Sequence, residues 1–295
     1  SIASQTLSPV ETLVIDNGSN DSSELVVRRH SAQWHPVGRN IGLAPAMQLG
    51  ATRARGETLL FLNNDVVFGP SFLEDLVAAR LRFPTALAID AVQRDLEGKL
   101  VHGVVGFRRT PFRLRGDFPG WFLEVALPAE DASPTALASA ANLFVEREDF
   151  LAAGGWDTGF FLGHEDLDLC WRAWALGREM ILDPAVECRH DVGATSRTRL
   201  GRQARIYGTT SGRLRFAAKH LPFEHALTVV AFALVGIPFA AARGELRPRL
   251  RALIQFTQSL PAILQARRAF YRGAGTTPRR HFKFMTSKFA APRAR

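Results

Sequence analysis

The stretch GGWDTGFFLGHEDLDLCWRAWALGREMILDPAVECRH, residues 154–190, decides how this sequence is interpreted. Three acids, Glu165, Asp166 and Asp168, stand where apolar residues begin to recur at helical spacing, and Gly177 ends that run. Acids on the first turn of a helix are stabilised by its dipole and its free N–H groups, without any catalytic role. The stretch therefore predicts a helix with an acidic first turn, followed by a strand, and it leaves the purpose of the acids open.

A second acidic turn occurs in LLFLNNDVVFGPSFLEDLV, residues 59–77. Residues 59–62 form an apolar run typical of a buried strand, and Asn63, Asn64 and Asp65 end it. In an open α/β sheet, ligands bind at the carboxyl ends of strands, so Asp65 stands where a ligand is expected. A carboxylate there can hold a divalent cation together with the phosphates of a nucleotide, whereas an Asx turn would explain the tripeptide without a ligand.

Four segments in this order resemble family 2 inverting glycosyltransferases with the GT-A fold, and among them the bacterial rhamnosyltransferase-like members. The segments are VIDNGSNDSS (14–23), NIGLAPAMQLGATRARGETLLFLNNDV (40–66), GGWDTGFFLGHEDLDLCWR (154–172) and CRHDVGATS (188–196). The resemblance covers roughly residues 1–220. It implies an α/β fold, with a Rossmann-like, mostly parallel sheet flanked by helices. The residues that follow are basic and partly apolar, and they are predicted to be helical.

The resemblance also implies a reaction, the inverting transfer of a sugar from a nucleoside-diphosphate sugar to a hydroxyl of a lipid-linked or polysaccharide acceptor. Such transfer needs a base for the acceptor hydroxyl and a cation, Mn²⁺ or Mg²⁺, for the charge on the departing diphosphate. Asp166 matches the family's base, and like charge from Glu165 and Asp168 is expected to raise its affinity for protons. Glu165 is expected to orient the base or to touch the acceptor. The other expected site residues are Asp16, Asn40, Asn63, Asn64 and Asp65 for the nucleotide sugar, Trp156, Asp157 and His164 for the acceptor, and Asp65 and His190 for the metal.

Ordinary structural roles compete with several of these assignments. Asp16 can be a turn residue, and Asn40 is expected to shape the nucleotide pocket rather than to contact the nucleotide. Trp156 can be an acceptor platform or part of the core. A lone histidine such as His190 is more often structural than metal-binding, but its order and spacing match the metal histidine of the family.

Charge is divided unevenly along the chain. From residue 197 to the end there are 20 Lys and Arg against 2 Asp and Glu, whereas residues 1–196 hold 17 and 26, so the net charge of +9 hides an acidic part and a basic part. Such asymmetry predicts a polyanionic partner. Because the sequence contains no helix-turn-helix, zinc or RNA-binding signature, it favours an anionic membrane surface over nucleic acid.

Residues 221–295 are therefore predicted to be a membrane-associating helical tail that follows a glycosyltransferase domain in residues 1–220. Residues 226–242 carry no charge and are near the lower length limit for a spanning helix, so they could span, re-enter or lie on the bilayer, or form a buried helix. Residues 250–264 suit a basic amphipathic helix on anionic lipid, or one packed on the domain or on a second copy of the chain as a homo-oligomer. Cys170 and Cys188 are expected to be buried free thiols of a reducing compartment, which points to the cytoplasmic face of the cell membrane.

The beginning of the sequence lacks two elements of the family. Members that it resembles have an apolar strand and a helix ahead of the segment that matches SIASQTLSPVETLVIDNGS, and here the strand and most of the helix are missing. For a polypeptide that starts at Ser1, we expect an impaired nucleotide pocket and reduced stability, because a lost central strand leaves backbone groups unpaired. The rival functions are a catalytically impaired nucleotide-sugar or glycan-binding subunit and, from the basic tail alone, a nucleic-acid-binding protein.

Local patterns predict some further elements. Residues 11–15 and 87–92 are typical of buried strands, and residues 25–28 of a short strand. Residues 139–145 are predicted to be an apolar strand, and residues 106–134, rich in Phe, Arg, Gly and Pro, to be loops.

Overall fold

The computed structural model of the protein describes residues 1–9, 11–109, 121–127, 129–192 and 199–290. The strands are β1 (Leu13–Asp16), β2 (Gln33–Pro36), β3 (Thr58–Leu60), β4 (Val66–Phe68), β5 (Ala88–Arg94), β6 (Leu100–His102), β7 (Val104–Arg109), β8 (Trp121–Ala126), β9 (Ser133–Pro134), β10 (Phe144–Glu146) and β11 (Met180–His190). The helices are α1 (Ser23–Arg29), α2 (Leu43–Arg53), α3 (Phe72–Arg82), α4 (Arg147–Ala152), α5 (Glu165–Ala175), α6 (Arg199–His220), α7 (Phe223–Val235), α8 (Ile237–Ala242), α9 (Leu246–Gly273) and α10 (Pro278–Lys288).

The largest sheet has seven strands and carries the candidate site. Its path is β3-β10-β5-β11-β4, with β6 paired to β5 and β9 paired to β11. The two long strands, β5 and β11, are parallel neighbours, and β1 and β2 form a separate parallel pair. Together with the helices, this arrangement confirms the α/β class, and it places the carboxyl ends of β3, β5 and β11 at one edge of the sheet. The other described pairings of this sheet are antiparallel, whereas the resemblance implied a mostly parallel sheet.

The strand predicted over residues 25–28 is wrong, because these residues lie in α1. Just before this helix, Asp21 accepts a hydrogen bond from the Ser23 N–H at 2.9 Å, as in an Asx turn. One turn apart, Arg28 pairs with Glu24 at 2.7 Å. The apolar residues suggested a strand, but Leu25 and Val26 are exposed on the helix.

Two further local predictions change in the structure. The described parts of residues 106–134 include a hairpin of β7 and β8, in which Gly106 faces Glu124, rather than loops alone. The strand predicted over residues 139–145 is shorter, because a turn with an Asn142 N–H bond to the Ser139 carbonyl precedes β10. Residues 110–120 and 128 of the predicted loop region lie outside the described residues.

The core extends from the sheet into the C-terminal helices. Trp171 of α5 is fully buried and packs edge-on against Phe216 of α6, with ring centroids 5.3 Å apart. The same apolar cluster includes Phe256 of α9 and Phe282 of α10. Cys170 is one of two buried free thiols in the chain, as predicted. One apolar core joins the elements on both sides of residue 220. The domain boundary at that residue remains a prediction.

The apolar run of residues 226–242 is divided between two short helices. Gly236 stands between α7 and α8. In the part of the chain that the structure describes, we find no helix with both the length and the apolar character that crossing a bilayer requires.

Candidate functional site

Asp65 and His190 lie side by side at one edge of the site. The antiparallel pairing of β4 with β11 sets His190 opposite Val66, the residue after Asp65. The Asp65 Oδ1 atom is 3.2 Å from His190 Nε2, and the Asp65 carbonyl accepts a bond from the Asp191 N–H at 3.0 Å. The turn after β3 and the end of β11 thus bring together the two residues that the sequence assigned to a metal.

A side chain of β5 fixes the His190 ring. The Nδ1 atom of His190 is 2.7 Å from the side-chain amide of Gln93, and that amide lies 2.6 Å from the amide of Asn142. These contacts leave Nε2 directed at Asp65, as expected when one ring nitrogen is oriented by a neighbour and the other is available to a ligand.

The donor atoms of this pair fit a divalent cation. Apart from the imidazole contact, the buried Asp65 Oδ1 has no hydrogen-bond partner among the described residues. Carboxylate oxygen with imidazole nitrogen is a donor set that Mn²⁺ accepts. The described residues contain no group of three or more His, Cys, Asp or Glu that could hold a metal. A cation here would therefore need further ligands, such as diphosphate oxygens.

Glu165 and Asp166 begin α5, and they differ in their surroundings. Glu165 is only 4% exposed, and its Oε2 atom has no hydrogen-bond partner within the described part of the chain. Asp166 is half-buried and accepts a bond from the Leu167 N–H at 2.7 Å. The charges of His102 and Asp90 also act on Asp166.

The pKa values of both acids are raised, mainly by burial. Burial, and then the charge of Asp166, raise the pKa of Glu165 to about 8. Burial also raises the pKa of Asp166, but the Leu167 N–H and the charge of His102 oppose that rise. Because adjacent carboxyl groups do not ionise together readily, we assign the proton to Glu165 and the charge to Asp166.

The predicted reason for the proton affinity of Asp166 is only partly right. Like charge does contribute, but it comes from Asp90 and follows burial in importance. The charge of Asp168 is instead compensated, because its carboxylate accepts bonds from Lys219 at 2.6 Å and His220 at 2.7 Å.

Asp157, which was predicted to contact the acceptor, pairs with two cations of α6. Its carboxylate pairs with Arg215 at 2.8 Å and with Lys219 at 2.6 Å, and it also accepts the Gly159 N–H at 2.9 Å. These partners hold the pKa of Asp157 below its usual value against the effect of burial. Asp157 therefore anchors α6, and its contact with the acceptor remains a prediction.

The two other residues assigned to the acceptor are also enclosed. Trp156 is 2% exposed and packs edge-on against Phe61 at 5.3 Å and Phe150 at 5.7 Å, which favours core packing over a sugar platform. His164 is half-buried with a φ of +73°, and burial lowers its pKa to about 3. It is therefore a neutral residue at the start of α5.

The residues assigned to the nucleotide lie on two neighbouring loops. Asp16 ends β1 and accepts the Ser19 N–H at 2.9 Å. Asn40 accepts the Gly42 N–H at 2.9 Å, as a turn-forming residue does, and Asn17 bonds the Ile41 N–H at 2.8 Å to join the loops.

The turn that contains Asp65 presents its two asparagines differently. Asn63 is half-buried and its N–H bonds the Ala141 carbonyl at 3.1 Å. Asn64 is exposed. Nothing in these contacts excludes either side chain from a nucleotide, and both assignments remain predictions.

Three residues of the site escaped the sequence analysis. Asp90 and Gln93 are fully or almost fully buried on β5, and His102 of β6 lies 2.6 Å from Asp90. The available signal was the pair of polar residues inside the apolar run AIDAVQ, since buried polar groups are uncommon and need partners.

Comparison with known proteins identifies the fold and the family. Residues 1–114 match the family model described as "Glycosyl transferase family 2". These residues carry a family 2 glycosyltransferase domain. Over 217 residues, it is 29% identical to N-acetylglucosaminyl-diphospho-decaprenol L-rhamnosyltransferase of Mycobacterium tuberculosis, a match that covers 64% of this chain and 69% of that protein. It is also 27% identical over 202 residues to validoxylamine A glucosyltransferase of Streptomyces hygroscopicus subsp. limoneus, covering 61% of this chain and 44% of that protein.

A solved structure supports the same fold. The crystal structure of GalNAc-T7 with UDP, GalNAc and Mn²⁺ superposes with a TM-score of 0.62 at 16% identity. The superposition covers 95% of this chain and 51% of that one, so this glycosyltransferase chain spans about half of the neighbour's length. The GT-A fold predicted from the sequence is thereby confirmed.

Proposed function

We propose that this glycosyltransferase moves a sugar from a nucleoside-diphosphate sugar to a hydroxyl of a lipid-linked glycan, with inversion at the transferred carbon. The observation that carries the proposal is the convergence of two clusters on β5. Asp65 and His190 connect to β5 through Gln93. The helix of Asp166 contacts the loop that bonds Asp90 of the same strand, through Cys170 and the Ala138 and Ser139 N–H groups. A cation-binding end and a base at one sheet edge are what such a transfer needs.

Asp166 acts as the base in this proposal. Its carboxylate takes the proton of the acceptor hydroxyl while that oxygen bonds to the anomeric carbon and the bond to the diphosphate oxygen breaks. Glu165, which keeps its proton near neutral pH, donates a hydrogen bond to the acceptor or to Asp166. Asp65 and His190 would hold the divalent cation, which supplies positive charge to the departing diphosphate.

Removing divalent cations is expected to weaken binding of a nucleoside diphosphate by about tenfold or more, because Asp65 and diphosphate oxygens otherwise repel one another. Calorimetry of UDP and dTDP binding, with Mn²⁺ or with EDTA, measures the effect. His190→Gln should lose most of the metal dependence, and His30→Gln, an exposed residue of the same type, should keep it. Equal affinities with and without the cation in the wild type would contradict the assignment.

The lipid-linked acceptor is supported by the relative and by the surface of the C-terminal helices. The mycobacterial relative is named for a decaprenol-linked acceptor. On α7 and α8 of this chain, Phe223 is 77% exposed and Phe239 is 62% exposed. Arg243 follows α8, and Arg247 and Arg251 lie one turn apart on α9; all three are exposed. Apolar side chains beside arginines suit the surface of an anionic bilayer.

Vesicles that contain phosphatidylglycerol are expected to bind the protein about tenfold more tightly than phosphatidylcholine vesicles, and high salt should reduce the difference. Co-sedimentation measures both. The double variant Phe223→Ser and Phe239→Ser should bind less, whereas Leu81→Ser, which changes another apolar residue that is 77% exposed, should not. Equal binding to both kinds of vesicle would remove the anionic surface from the proposal.

The function itself is tested with a panel of nucleoside-diphosphate sugars, rhamnose donors included, and N-acetylglucosaminyl-diphospho-polyprenol as the acceptor. We expect one donor to raise the melting temperature and to give a product heavier by one sugar residue in mass spectrometry. Stabilisation without product for any acceptor would favour a binding subunit. The absence of both stabilisation and product would reject the proposal.

A further inference from the structure

A buried ion pair lies behind the proposed base. Asp90 is fully buried, and its Oδ2 atom is 2.6 Å from His102 Nε2. The same oxygen accepts the Ser139 N–H at 3.1 Å, and Oδ1 accepts the Ala91 N–H at 3.0 Å. His102 is held on β6 by the pairing that sets it opposite Gln93. Both members of the pair are thus fixed by the sheet.

This pair is connected to the face of α5 that carries Asp166. Cys170 follows Asp166 by four residues and shares its helix face. The Cys170 Sγ atom accepts a bond from the Ala138 N–H at 3.2 Å, and the next residue, Ser139, bonds Asp90. The loop that holds Asp90 therefore also packs on the helix face of Asp166.

We propose that the Asp90–His102 pair positions Asp166 and keeps its carboxylate unprotonated, so that it can accept the proton of the acceptor hydroxyl. The inference rests on the proposed function, because it assumes that Asp166 is the base. In this arrangement His102 is a positioning residue that acts through Asp166 and not on the sugar.

Charge balance supports this role. The ionisable groups around the base are Asp90 on β5, His102 on β6, and Glu165 and Cys170 on α5. Burial opposes charge on His102, but the charge and hydrogen bond of Asp90, with the charge of Asp166, raise its pKa. Without the positive imidazole, Asp90 and Asp166 would be like charges in a poorly solvated site, and Asp166 would hold its proton to higher pH.

The test is the pH profile of kcat/KM for His102→Gln, in which a neutral side chain can still donate to Asp90. The wild-type rate rises with pH as the base loses its proton. In the variant, we expect this acid limb to move up by about one pH unit, as the loss of a neighbouring opposite charge predicts. The rate should then be about tenfold below wild type at the acid end and close to it on the alkaline plateau, with little change in KM for the donor.

Controls separate positioning from folding. His102→Lys, which restores a positive charge, should return the acid limb toward its wild-type position, and His30→Gln should leave the profile unchanged. His102→Asn replaces the Gln variant if thermal unfolding shows that the latter does not fold. This inference is overturned if the pH profile of His102→Gln is lowered equally at every pH, or is not shifted. The proposed function still stands in that case, provided that Asp166→Asn lacks activity. An active Asp166→Asn enzyme instead overturns the proposed function.

Discussion

The Asp166→Asn variant is expected to lose about 10³-fold in transfer rate while it still binds the donor, because removing a general base costs roughly 10²–10⁴-fold. Asparagine keeps the size of the side chain and can still accept the Leu167 N–H bond, which is 2.7 Å long in the wild type. It cannot take a proton from the acceptor. Product formation measured at saturating donor and acceptor, with donor affinity measured separately by calorimetry, checks both parts of the expectation.

Glu165→Gln is the matched control, because both changes replace one carboxyl group of the same helical turn by an amide. The pKa of Glu165 is raised to about 8, so its side chain is already neutral at pH 7. Gln is neutral as well and can donate a hydrogen bond, and we expect the variant to keep most of its activity at that pH. If Glu165→Gln were inactive and Asp166→Asn active, the roles of the two acids would be exchanged.

The sequence predicted those features that depend on local spacing. The helix of Glu165–Ala175 follows from its apolar periodicity and its terminal glycine, and β5 follows from a run of apolar residues. Asp65 and His190 were assigned together because their segments have the order of the family, and the pairing of β4 with β11 brings them into contact.

The roles of the remaining acids depend on distant partners. Asp157 and Asp168 stand near the base in the sequence and resemble site residues. Their cations, Arg215 and Lys219, come from α6, more than forty positions later in the chain. No local pattern predicts which of several clustered acids will meet a cation. The basic charge of the C-terminal part, interpreted as a membrane signal, is therefore also used in part to neutralise the acidic turn.

The Asp168→Asn variant is expected to lower the free energy of unfolding by about 3 kcal/mol, the size of effect seen when one member of a buried ion pair is removed. The Asp168 side chain is fully buried and accepts bonds from Arg172 at 2.9 Å, Lys219 at 2.6 Å and His220 at 2.7 Å. Asparagine preserves the shape and leaves the cations less well compensated. Urea unfolding at pH 7.5 measures the change. Glu24→Gln, which breaks the exposed pair with Arg28, should change stability by less than about 1 kcal/mol.

The dependence of that change on pH tests whether the Asp168 carboxylate stays charged in the folded protein. Lys219 and Arg172 outweigh burial and hold the pKa of Asp168 well below its usual value. Its stabilising contribution is therefore complete above the pKa of the unfolded chain, about 3.9, and is lost only as the pH falls toward the lower folded value.

Burial lowers the pKa of His220 to about 4, so both proteins should lose stability between about pH 6.5 and pH 4 as this histidine becomes charged in the unfolded chain. We therefore expect a constant difference between wild type and Asp168→Asn from pH 7.5 to about pH 4.5, because the histidine contributes equally to both over that range. A difference that already disappears by pH 5.5 would show that the Asp168 charge does not hold α5 to α6.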